Sequence, residues 1–138
     1  MDVETFHNNP KVFCDTALPF LMEAEAENNL IIGLSARLEA ASPQPGSGEA
    51  LFWAVRDGAK VCGAAMCTPP RDLLLSHPFP NAALTALSEF LSQMHLPLPG
   101  VLGPDYAARE FCAKWTATTT IRNELWRRER IYRLDRVE

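Results

Sequence analysis

The chain lacks any run of roughly 18 apolar residues, so nothing in it reads as a membrane span. Its opening, Met1-Asp2-Val3-Glu4, is acidic and leads into no apolar stretch. That pattern is not a secretory signal, and a cytoplasmic protein is the expectation. A basic excess is missing too: 13 Lys and Arg stand against 17 Asp and Glu, for a net charge of −4. Nucleic-acid binders need a basic surface to displace counterions from phosphates, so no nucleic-acid partner is expected. The four cysteines, Cys14, Cys62, Cys67 and Cys112, form no C-x-x-C pair. With no secretion signal they read as buried, reduced thiols. Cys62 and Cys67 are an odd number of positions apart, which in a regular strand points them to opposite faces. His7, His77 and His95 are the only histidines and are widely separated. A Cys/His metal centre needs three or four converging ligands, so no metal is expected. Neither Ser35 nor Ser76 stands in the G-x-S-x-G context of a nucleophile elbow. Internal repeats and low-complexity tracts are absent.

What is present suits a single domain spanning residues 1–138. At that length roughly two-thirds of the unfolded surface is buried on folding, enough for a core without staples. Asp2 to Phe6 reads as a short edge strand. Asn9-Pro10 is a helix start, with a polar cap and proline at the first helical position. Val12, Phe13, Ala17, Phe20, Leu21 and Ala24 share one face of that helix, and Pro19 predicts a kink or split near Leu18. Asn28 and Asn29 predict the cap of a second helix, with Leu30, Ile31, Leu34 and Leu38 on its buried stripe. Glu23, Glu25 and Glu27 form a solvated acidic surface.

Ser42 to Glu49 is a connecting loop. The clearest local signal follows. Leu51 to Arg56 and Lys60 to Cys67 are strand runs about the turn pair Asp57-Gly58, which predicts a two-residue hairpin with both turn residues at positive φ. Gly63, Ala64 and Ala65 are small enough to let a helix approach the second strand. Thr68-Pro69-Pro70 breaks the ladder, and Leu73 to Ser76 is a short buried strand. Asn81 starts a third helix with Leu84, Leu87, Leu91 and Met94 as its core stripe, ended by Pro97-Leu98-Pro99-Gly100. Val101 to Gly103 is a very short strand. Pro104-Asp105 opens a fourth helix with Ala108, Phe111, Cys112 and Trp115 on one side.

Thr118 to Val137 reads two ways. Glu124 to Arg128 and Glu129 to Arg133 are helical i, i+4 pairs, whereas Thr118-Thr119-Thr120-Ile121 and Ile131-Tyr132-Arg133-Leu134 favour a strand. Six arginines there (122, 127, 128, 130, 133 and 136) face four acids, a local net of +2. That is a solvated surface in the plain reading and a docking surface anchored by Trp126 and Tyr132 in the other.

Several runs, in order, carry a resemblance. They are Phe20-Leu21 with Asn28-Asn29-Leu30, Trp53-Ala54-Val55 with Asp57-Gly58 and Val61-Cys62-Gly63-Ala64-Ala65, and Thr68-Pro69-Pro70 before Leu73-Leu74-Leu75-Ser76. Leu98-Pro99-Gly100-Val101 and Tyr132-Arg133-Leu134-Asp135 complete the set. Over nearly its whole length the chain resembles the N-terminal half of GNAT (GCN5-related N-acetyltransferase) proteins that carry two GNAT-like halves in one chain. The resemblance implies an α/β (α+β) fold: a mixed, largely antiparallel sheet with helices on both faces, and a long C-terminal strand. In such proteins the second half resembles the active enzyme, and this chain stops about where that half would begin, so the resemblance implies ancestry before it implies catalysis.

GNAT enzymes hold the acetyl-CoA pyrophosphate on a loop similar to Arg/Gln-x-x-Gly-x-Gly/Ala at the start of the third helix, where backbone N–H groups point at the phosphates. The corresponding stretch here, Ser76-His77-Pro78-Phe79-Pro80-Asn81-Ala82, has no glycine, no arginine and two prolines. Ser76, His77 and Asn81 are the candidate remnants of a cofactor site, and no bound cofactor is expected. The family's active members often place a proton-donating tyrosine on the fourth helix; Phe111 falls near that position, and Tyr106 lies more than one turn earlier. The resemblance therefore implies an acetyltransferase-related domain that is non-catalytic or accessory, paired with a partner GNAT domain or with a second copy as a homodimer. The alternative is an active acetyl-CoA-dependent N-acetyltransferase with an atypical cofactor loop.

Overall fold

The computed structural model describes residues 1–41, 49–96 and 98–118. The loop expected over Ser42–Glu49 is outside them apart from Glu49. So are the arginine cluster, Trp126, Tyr132 and all of the proposed C-terminal strand except Thr118, which instead ends a helix. In chain order the elements are β1 (Asp2–His7), α1 (Pro10–Met22), α2 (Asn29–Ala40), β2 (Leu51–Asp57), β3 (Lys60–Cys67), β4 (Leu73–Leu75), α3 (Asn81–Gln93), β5 (Val101–Leu102) and α4 (Asp105–Thr118). The strands form one sheet in the order β1-β2-β3-β4-β5. Every neighbouring pair is antiparallel except β4 and β5, which run parallel. A mixed, mostly antiparallel sheet is thus present.

Strand alternation sorts the core into two layers. Leu51, Trp53 and Val55 of β2 face α3 and α4, joining Leu84, Leu87 and Leu91 with Phe111, Cys112 and Trp115. Phe52 and Ala54 face the other way, onto Phe13, Cys14, Ala17 and Leu21 of α1 and Ile31 of α2. Helices therefore cover both faces. The rings of Phe13 and Phe52 stack at 4.7 Å and fix α1 to the centre of the sheet. Burying a side chain of that size contributes about 1.5–3 kcal/mol.

Asn9 caps α1 by accepting the Val12 N–H at 3.3 Å. Pro19 does not divide the helix, which continues to Met22. The missing donor costs one bond in the last turn, where little helix remains to disrupt. Val12, expected on the buried face, is 43% exposed, and Cys14 takes the buried place. On α2 the buried positions are Ile31 and Ser35, with Leu30 left 53% exposed. On α3 the stripe ends at Leu91, and Met94 is exposed. That helix stops before Pro97, where His95 turns left-handed at φ 55°.

The β2–β3 hairpin is present, but its turn is displaced by one residue. Asp57 pairs with Lys60, so the two loop residues are Gly58 and Ala59. Of these only Gly58 has positive φ, at 65°. Glycine first and a residue of ordinary φ second is the other twist-compatible hairpin turn. The register also shifts: Val55 pairs with Gly63 and Arg56 with Val61, leaving Cys62 as the extra residue of a bulge. The bulge cancels the alternation argument for the thiols, because Cys62 and Cys67 both pack towards the α3/α4 layer. Gly63 makes room for the Phe79 ring, which a Cβ would meet at 2.8 Å; the close neighbour is a side chain from the loop before α3.

Candidate functional site

The segment from Ser76 to Asn81 links the end of β4 to the start of α3. Its first residue extends the ladder: the Ser76 N–H donates to Ala64 O at 2.9 Å. The Ser76 hydroxyl accepts the Ala64 N–H at 3.0 Å and donates to Pro78 O at 3.1 Å. It is fully buried. His77 is clamped by Asn28, whose Oδ1 accepts the His77 N–H at 2.7 Å while its Nδ2 donates to His77 O at 2.8 Å and Leu21 O at 3.0 Å. Phe79 inserts its ring into the α3/α4 layer, and its N–H donates to the Tyr106 hydroxyl at 2.9 Å. Pro80 then precedes α3 and offers no side-chain cap.

The consequence for donors is direct. From Ser76 to Pro80, each backbone N–H is either bonded within the fold or absent because the residue is proline. The first-turn donors of α3, at Asn81, Ala82 and Ala83, have no helical partner by geometry.

The sequence candidates thus occupy different environments. Ser76 is sealed into the sheet. The His77 ring is half-buried, 6.0 Å from the Tyr106 ring in an edge-on contact, with Nδ1 3.5 Å from the Tyr106 oxygen. Asn81 is exposed at the first position of α3. Phe111 is fully buried and stacked on Trp115 at 5.8 Å. Tyr106 is 45% exposed and holds the loop through its hydroxyl.

Asn28 is the residue that sequence reading misplaced. It precedes α2 but makes no side-chain cap bond there. Its partners are His77, 49 positions away, and Leu21. No local pattern carries such a contact.

Among the described residues no group of three or more His, Cys, Asp or Glu side chains could hold a metal ion, and no helix is long and apolar enough to cross a membrane. Set against known proteins, the chain matches no family model, no curated protein and no solved structure.

Proposed function

We propose that this chain is a non-catalytic, GNAT-like accessory domain in which the loop before α3 has become structural. One observation carries the reading: the backbone from Ser76 to Pro80 presents no unengaged N–H. A pyrophosphate site at that position needs several such donors converging on the anion. Here Asn28 and Tyr106 have taken those of His77 and Phe79, and Pro78 and Pro80 have none, which leaves only the first-turn N–H groups of α3 at Asn81, Ala82 and Ala83 and supports the accessory reading. The element order supports the ancestry: two helices between β1 and β2, three antiparallel strands, then helix, strand and helix. In this reading the domain works in the cytoplasm beside a partner acetyltransferase domain or a second copy of itself.

The competing reading is an N-acetyltransferase using an atypical cofactor loop. It draws on the open first turn of α3, where Asn81 and Ala82 are exposed. Calorimetric titration with acetyl-CoA separates the two. Weak or no binding is the expected result. A dissociation constant in the low micromolar range, on the order of −8 kcal/mol, overturns the accessory reading.

A further inference from the structure

A cleft of about 380 Å³ lies between α2 and the sheet, opposite the layer formed by α3 and α4. Leu30 and Leu34 of α2 form one wall. Met66, Leu74 and Leu102, from β3, β4 and β5, are its apolar floor. The opening has a structural cause. β4 and β5 are only three and two residues long, so the sheet gives α2 too little surface to seat on. Leu30 is consequently 53% exposed. The volume falls in the range of small-molecule sites, roughly 300–1,000 Å³.

One end of the cleft is polar and fixed. The β3–β4 turn closes on itself through Arg71 N–H to Thr68 O at 3.0 Å and Cys67 Sγ to Arg71 O at 3.4 Å. The backbone root of Arg71 is therefore held at the cleft. Arg56 and Arg109 each pair with a carboxylate, whereas Arg71 forms no ion pair among the described residues. Its exposed guanidinium offers a fork that matches a carboxylate. Asp72 also lines the cleft.

From the apolar walls, the volume and this charge we infer that the cleft binds a small organic carboxylate with an apolar body. The inference does not rest on the reading of the Ser76–Asn81 loop, because the cleft shares no residue with that loop, Asn28 or Tyr106.

Octanoate and its neutral analogue octanamide are the probes, followed by amide chemical shifts of the full chain. Octanoate should saturate a single site that moves the amides of Leu34, Arg71 and Leu102, and octanamide should bind at least about tenfold more weakly. Arg71→Gln should weaken octanoate about tenfold, or 1.4 kcal/mol, and leave octanamide unchanged. Leu34→Trp fills the cleft and should abolish both, with Leu30→Gln, at a half-exposed position, as the gentler variant that weakens both without threatening the fold. Absence of saturable octanoate binding overturns the inference. Equal affinity for the two probes does so too, as does octanoate binding that Arg71→Gln and Leu30→Gln leave unchanged. Acetyl-CoA binding at the loop, with octanoate binding as expected, would defeat the accessory reading and leave the cleft intact.

Discussion

At the scale of single residues, Asn28 and Cys67 show how burial decides what a side chain does. Asn28 is 1% exposed and makes three hydrogen bonds to backbone. Asn28→Ala leaves the His77 N–H and two carbonyls without those partners, and each stranded group costs about 1–3 kcal/mol. We expect urea denaturation to show a loss of about 2–4 kcal/mol for Asn28→Ala, since bonds sharing one side chain do not add fully. Asn81→Ala, at an exposed position, should stay within about 0.5 kcal/mol; equal losses would remove Asn28 from its clamping role. Cys67 gives a pH dependence. Burial, and then the nearby Asp72 carboxylate, push its thiol from 9.0 up to about 11. Below pH 9 the thiol is protonated in both states, so it adds no slope. Between about 9 and 11 the unfolded chain ionises ahead of the folded one, so stability falls as pH rises, by about 2 kcal/mol across that window. Burial raises Cys14 and Cys62 as well, with the same sign. Denaturation midpoints measured from about pH 8 to 10.5 should therefore decline, and Cys67→Ala should make the decline shallower. A parallel slope in that variant would assign the alkaline loss elsewhere. The polar cap at Asn9 was legible in sequence, whereas Asn28 read as a helix cap it does not make, and its clamp was not legible because its partners are set by the tertiary fold.

At the scale of elements, the hairpin and the helices separate what local chemistry specifies from what packing specifies. Asp57-Gly58 between two apolar runs announced a turn, and the turn formed. Its register followed from a bulge at Cys62 that no residue pattern signalled, so the loop pair became Gly58-Ala59. Only Gly58 carries the left-handed φ, which a β-branched side chain meets with strain. Gly58→Val should cost about 1–3 kcal/mol in chemical denaturation, whereas Ala59→Ser, exposed and at ordinary φ, should cost little. Matching midpoints for the two variants would show that the turn's strain is not where the backbone puts it. Helix starts at Pro10 and Asp105 were readable from a cap and prolines, and the start at Asn29 from asparagines that make no cap bond there. Buried faces were less so: Val12, Leu30 and Met94 fit the helical period yet stay exposed. Periodicity marks which positions share a face, and the sheet decides how wide a stripe it can cover. The short β4 and β5 leave α2 partly uncovered, which is the origin of the cleft.

At the scale of the whole molecule, one sheet divides two apolar layers. The sequence supplied the alternation in β2 that builds both, with Trp53 and Val55 on one side and Phe52 and Ala54 on the other. It did not supply their coupling, which arises because the same strands form the wall of each layer. Removing α1 and α2 would expose one face of β2 and β3 to water, and removing α3 and α4 would expose the other. Neither layer keeps its buried area without the sheet, so the two should unfold as one cooperative unit, as single domains of this size do. Two cysteines report on this. Cys14 lies in the α1/α2 layer and Cys112 in the α3/α4 layer, and no disulfide ties either down. Pulsed alkylation across a urea series, read at each cysteine by peptide mass spectrometry, measures when each thiol becomes accessible. Cys14 is 8% exposed and Cys112 fully buried, so Cys14 should show slightly higher baseline labelling before the transition. Beyond that baseline both should become reactive at the same urea midpoint, and Phe52→Ala, which opens a cavity only on the α1 side, should lower both midpoints together. The cost of such a cavity is about 3–5 kcal/mol, large enough to resolve. If Phe52→Ala advanced Cys14 and left Cys112 where it was, the helical layers would be separable units on a sheet that stands alone.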